Sequence, residues 1–119
     1  MSTTDFLPLH PKDFLILLVL AEDDAHGYGI LKAAEEHSRG KVSLDPANLY
    51  RRLQRLTRDG LVADGGEGKP SDSDGAPRRY HTLTPSGRRV LEAEAERLAH
   101  LTEAARGLRL ISGSVEAGP

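Results

Sequence analysis

The sequence predicts a mainly α-helical fold with one small β-hairpin and a long C-terminal helix. Three observations predict it. Apolar residues recur at helical spacing in segments bounded by capping residues, prolines and glycines. Two short runs rich in Val, Thr and Tyr flank a Gly/Pro/Asp-rich stretch, as the strands of a hairpin do. Hydrophobic content is 38% but aromatic content only 4%, so the core is built from Leu, Ala, Val and Ile, which suits helices.

At 119 residues the chain holds one modest core. Residues 1–10, with Pro8, are expected to be a flexible N-terminus. From about Pro11 to Glu22 the run Phe14-Leu-Ile-Leu-Leu-Val-Leu-Ala21 is apolar on every side of a helix, and needs cover from its own domain and from a partner subunit. Ala25-His-Gly-Tyr-Gly29 reads as a turn, and Ile30 to Ser38 as a second helix ended by Gly40. Lys41-Val-Ser-Leu44 is a short extended link.

The third helix is the most informative segment. Asp45 can accept from the first free amides, Pro46 suits the first helical position and Gly60 provides the stop. At about 100° per residue, Leu49, Leu53 and Leu56 share one side. Ala47, Asn48, Arg51, Gln54, Arg55 and Arg58 share the other, with Tyr50 and Arg52 on the flanks. Residues Arg39 to Arg58 carry a local charge of +5 in a chain whose net charge is −2, so the molecule has a basic footprint rather than a basic surface. Guanidinium and amide groups on that face suit phosphates and base edges.

Leu61-Val-Ala-Asp64 and Arg78-Arg-Tyr-His-Thr-Leu83 are the expected strands, with a mobile tip at 65–77 between them. A basic-faced helix followed by a hairpin is the plan of a winged helix-turn-helix, placed at 11–84. Thr84-Pro85 then starts a helix assigned to 85–110, with a flexible tail at 111–119. Leu91, Leu98 and Ala105 recur every seven residues, Leu101 and Leu108 fall at the matching second position, and Glu94 interrupts that row. This short seam, with Phe14, Leu15 and Leu18 of the first helix, is the expected homodimer interface.

Taken in order, several motifs resemble the PadR family of bacterial transcriptional regulators. They are Asp13-Phe-Leu-Ile-Leu17, His26-Gly-Tyr-Gly-Ile30, Gly40-Lys-Val-Ser-Leu44, Leu49-Tyr50, Leu53, Leu56, Asp59-Gly-Leu-Val62, Arg78-Arg-Tyr-His-Thr-Leu-Thr84 and Gly87-Arg-Arg-Val-Leu91. They span roughly residues 11 to 105 and match the branch with a single dimerisation helix. The resemblance implies a cytoplasmic homodimer that represses genes by binding double-stranded DNA, with the third helix in the major groove. It also implies that a small apolar or aromatic effector can bind at the dimer interface. By position, Tyr28 and Tyr50 match the family's tyrosines on the second and third helices, and Arg78 and Arg79 its basic pair at the wing base. Asp45, Ala47 and Arg51 stand where relatives often have serine, glycine and proline.

On these grounds Asn48, Arg51 and Arg55 are assigned to base edges, and Tyr50, Arg52, Lys41, Arg78 and Arg79 to phosphates. Tyr28, Ser43 and Lys69 complete the DNA-contacting set. The rival reading is a winged-helix module that binds an acidic protein and no DNA. A metal site is disfavoured because cysteine is absent and His10, His26, His37, His81 and His100 lack ligand spacing. No cofactor is implied, and no nucleophile-base pair or phosphate-cradling loop suggests an enzyme. The Phe14–Ala21 run is too short to cross a membrane and lacks the flanks of a signal peptide.

Overall fold

A computed structural model describes residues 2–70 and 77–112, with side chains excepted at 66–70 and 77–78. The elements are a 3-10 helix at Thr3–Phe6, α1 at Pro11–Glu22, β1 at Ala25–His26, α2 at Gly27–Ser38, α3 at Pro46–Arg58, β2 at Val62–Pro70, β3 at Pro77–Leu83 and α4 at Pro85–Gly107. The sheet is antiparallel in the order β1-β3-β2. The sequence reading of a mostly helical winged helix-turn-helix with a C-terminal helix holds.

Helix ends follow local chemistry. Asp45 accepts from the Asn48 amide at 2.8 Å, and Pro46 occupies the first turn of α3. At its far end Gly60 takes φ +80°, the Leu61 amide reaches the Leu56 carbonyl, and the Gly60 amide reaches Thr57. That is a Schellman closure, for which glycine is the unstrained choice. α2 closes in the same way, but there the left-handed turn begins at Arg39, one position before the expected Gly40, which is itself at φ +75°.

The core is one cluster: Ile16, Leu17, Val19 and Leu20 of α1, Ile30 of α2, the Leu49/Leu53/Leu56 row of α3, Leu61 and Val62 at the wing base, and Val90 and Leu91 of α4. Thr84 locks the wing to α4: its hydroxyl donates to the Gly60 carbonyl at 2.6 Å and accepts from the Gly87 amide at 2.9 Å. Gly87 has to be glycine here, because a Cβ would lie 2.1 Å from the Leu61 carbonyl oxygen.

Three expectations are corrected. The N-terminal segment is not loose over its described residues 2–10: Phe6, Leu7 and Leu9 pack on the core, and the Leu9 amide donates to Glu94 at 3.1 Å. Glu94 breaks the heptad row because it is a buried anchor, 1% exposed, that also accepts two hydrogen bonds from Arg97. Those bonds, led by the Arg97 contact, hold its carboxyl below the usual range against the opposing effect of burial. Second, the turn at 25–26 is a third strand, pairing Ala25 with His81 and His26 with Tyr80. Third, β2 runs on to Pro70 through two register shifts, so the hairpin is longer than its apolar residues indicated. The acidic tip residues Asp72 and Asp74, and the tail beyond 112, lie outside the described residues.

Candidate nucleic-acid interface

α3 sorts its side chains sharply. Leu49, Leu53 and Leu56 are buried, while Tyr50, Arg51, Gln54, Arg55 and Arg58 are exposed. Lys41 and Ser43 are exposed on the link before it. Tyr50 lies across the start of α2, where a Cβ on Gly27 would come within 2.8 Å of its hydroxyl. The contact marks where the exposed Tyr50 side chain, which is free to swing aside, rests against α2. Next to it Tyr28 is exposed, stacks on His26 at 6.5 Å between ring centres, and His26 meets Tyr80 of the wing edge-on at 5.3 Å. His26 also caps α2, its Nδ1 accepting from the Gly29 amide at 3.2 Å.

The wing joins this surface. Tyr50, Leu53, Gln54 and Thr57 of α3 and Asp64, Arg79 and His81 of the hairpin line a shallow depression of about 290 Å³. Arg79 is paired with Asp64, both side chains remaining well exposed. Burial lowers the His81 pKa and the Arg79 charge adds to this, against the pull of Asp64. Tyr28 and Ser43 line a second groove, of about 430 Å³, between α2 and the link. The side chains of Lys69 and Arg78 lie outside the described residues; the backbone of Arg78 is in β3.

One predicted contact residue points elsewhere. Arg52 turns inward: its Nη1 donates to Asp13 Oδ1 of α1 at 3.0 Å, with only 14% and 12% of the two side chains exposed. Its Nε donates to Asn48 Oδ1, also at 3.0 Å. Sequence reasoning missed Asp13, although a lone acid at the head of a fully apolar helix is itself a signal that a basic partner must reach it.

The expected dimer residues divide into two groups. Leu91, 6% exposed, and Leu15 are spent in the monomer's own core, so neither offers much to a partner. Phe14, Leu18, Leu98 and Ala105 are half-buried, and Leu101 and Leu108 are 56% and 72% exposed. Leu110, just past the helix, is exposed as well. Phe14, Leu15 and Leu98 also border a cavity of about 270 Å³ with Leu9, Val42 and Arg97. Among the described residues no three His, Asp or Glu side chains could together hold a metal ion, and no helix is long and apolar enough to cross a membrane.

A winged helix-turn-helix whose third helix turns arginines outward defines a class, the transcriptional regulators. The profile of the transcriptional regulator PadR-like family matches residues 16–93, and the chain belongs to that family, whose members are regulators rather than enzymes. An uncharacterized 37.1 kDa protein of a Streptomyces fradiae transposon is 39% identical over 88 residues, 74% of this chain and 23% of that protein. The chain thus spans about a quarter of that relative's length. In fold it is similar to a PadR family transcription regulator from Clostridium difficile, with TM-score 0.68 and 24% identity over 83% of this chain and 98% of the other. It is also similar to Bacillus subtilis PadR, solved in complex with operator DNA, with TM-score 0.58 and 23% identity over 68% of this chain and 45% of that one.

Proposed function

We propose that the chain is a sequence-specific DNA-binding regulator, a repressor that grips a pseudo-palindromic operator as a homodimer. One observation carries this: the exposed face of α3 holds Arg51, Arg55 and Arg58 with no acid among them, directly beside the wing. Two copies of α3 would enter successive major grooves about 34 Å apart. Arg51 and Arg55 fork onto guanine edges, while Tyr28, Lys41, Ser43, Tyr50, Lys69, Arg78 and Arg79 hold phosphates. Arg52 leaves the phosphate set, because its guanidinium is already committed to Asp13 and Asn48.

Self-association fits the far end of α4 and the residues just past it, where among the described residues Leu101, Leu108 and Leu110 are exposed. The cavity beside Phe14 and Leu98 adjoins this seam, and a small apolar or aromatic effector seated there would bias the spacing of the two reading helices. The fold neighbour crystallised on operator DNA supports nucleic acid as the partner. A gel shift of the full chain on DNA from upstream of its own gene tests the reading. A salt-sensitive, competitor-resistant complex that Arg51→Ala/Arg55→Ala abolishes is expected. A fold-competent chain that binds no DNA would instead favour a protein partner for the basic face.

A further inference from the structure

Among the described residues, two Asp–Arg pairs lie against α3, and they differ in burial. The Arg52–Asp13 pair is closed in, with 14% and 12% of its side chains exposed, and its guanidinium has no other anion to meet. The Arg79–Asp64 pair lies open, with 60% and 53% exposed. An ion pair in water holds weakly, because solvent and salt screen it and both side chains are free to move. Arg79 is therefore a cation that another anion can take over.

Strand geometry fixes where this happens. Asp64 stands opposite His81, and Arg79, two residues before His81 in β3, shares its face. That face looks onto α3, where Asp64, Arg79 and His81 line one depression with Tyr50, Gln54 and Thr57. Among the described residues lining it, Asp64 is the only acid. A DNA strand whose phosphate meets the exposed Tyr50 comes within reach of Arg79, and finds the Asp64 carboxylate already on that guanidinium. Carboxylate and phosphate accept from the same N–H fork and repel each other.

We propose that Asp64 withholds Arg79 from DNA: it holds the guanidinium in the free protein, and the phosphate that the wing engages must displace it. Asp64 thus sets how tightly the wing grips. The proposal rests on the reading that the chain binds DNA with α3 and the wing together.

Fluorescence anisotropy of the full chain on a labelled duplex from upstream of its own gene tests it, at about pH 7.5. His81 is neutral there, since its pKa lies below 6.5 and loss of Asp64 lowers it further, so only one charge changes. Asp64→Asn and Asp64→Ala should each tighten binding about fivefold and steepen the log–log salt dependence by about one. In an Arg79→Met background the same substitutions should gain about twofold or less. Asp24→Asn controls for charge alone, because Asp24 Oδ2 lies 3.7 Å from where a Gly65 Cβ would stand; it too should gain about twofold or less. Equal gains with and without Arg79, or from Asp24→Asn, would show general repulsion and overturn the proposal. Weaker binding by both Asp64 variants would make Asp64 a support for Arg79, and unchanged binding would take Arg79 out of the interface. Either result overturns the proposal and leaves DNA binding standing. A folded wild type that binds no duplex would overturn the DNA-binding reading and this proposal with it.

Discussion

α3 and α4 are both amphipathic helices capped by an acid or hydroxyl and a proline, yet they leave opposite chemistry exposed. Every leucine at the inner positions of α3 is buried within the monomer, and what remains outside is guanidinium, amide and phenol. α4 buries only its first half, through Val90, Leu91 and Glu94, and then extends beyond the domain with Leu101 and Leu108 exposed. A face with its apolar groups satisfied and its charges uncompensated suits a polyanion. A face with leucines in solvent suits another apolar surface. Among the described residues the chain thus leaves two surfaces of opposite chemistry exposed, and on that difference rests the proposal of DNA for one and a second copy of the chain for the other.

The comparison breaks most visibly inside α4. Leu91→Ala leaves a cavity in the core and should cost about 3 kcal/mol in denaturant unfolding. Charges at the exposed end should do the reverse: Leu101→Asp/Leu108→Asp leaves the monomer's stability within about 0.5 kcal/mol of wild type. The same double variant should weaken self-association by about a hundredfold or more in sedimentation equilibrium. If it melts the domain instead, α4 is a core element along its whole length.

α3 can be divided in the same way, between adjacent arginines. Arg52→Ala strands the buried Asp13 carboxylate and should cost about 3 kcal/mol. Arg51→Ala, on the exposed face, should change stability by less than about 0.5 kcal/mol. Equal losses at both positions would mean that the two sides of α3 are not distinct.

The smallest effect concerns pH. Burial lowers the His81 pKa below its ordinary 6.5, so the unfolded chain binds the proton more readily than the folded one. Stability contributed by neutral His81 is present above pH 6.5 and declines as pH falls through that value towards the lower folded pKa. Melting curves of wild type and His81→Gln should therefore converge on acidification. A wild type that gains stability relative to the variant over that range would contradict the sign.

The features legible in the sequence are those that adjacent residues decide. The α3 cap, proline, leucine row and glycine stop all lie within 45–61, and the structure reproduces them. α4 begins at the expected Thr84-Pro85 cap but ends at Gly107, three residues short of the 85–110 assigned. What stayed hidden depends on contacts distant in the chain. β1 exists because Ala25 and His26 meet β3 more than fifty residues on, and the N-terminal segment is ordered because the Leu9 amide finds Glu94, 85 positions away. The direction of Arg52 belongs to the same class: helical phase put it on a flank, and an acid 39 residues upstream drew it inward. Charge patterning located the basic face, while tertiary pairing decides which of its members are free.

The most direct test of the account is operator binding by wild type and Arg51→Ala, measured by fluorescence anisotropy in competition across single-base operator variants and over a range of salt. Steep salt dependence is expected for both proteins, with Arg51→Ala losing about 1–3 kcal/mol of discrimination at one base pair in each half-site. A variant that keeps the wild-type order of preference at every base pair would show that the exposed arginines of α3 do not read the operator.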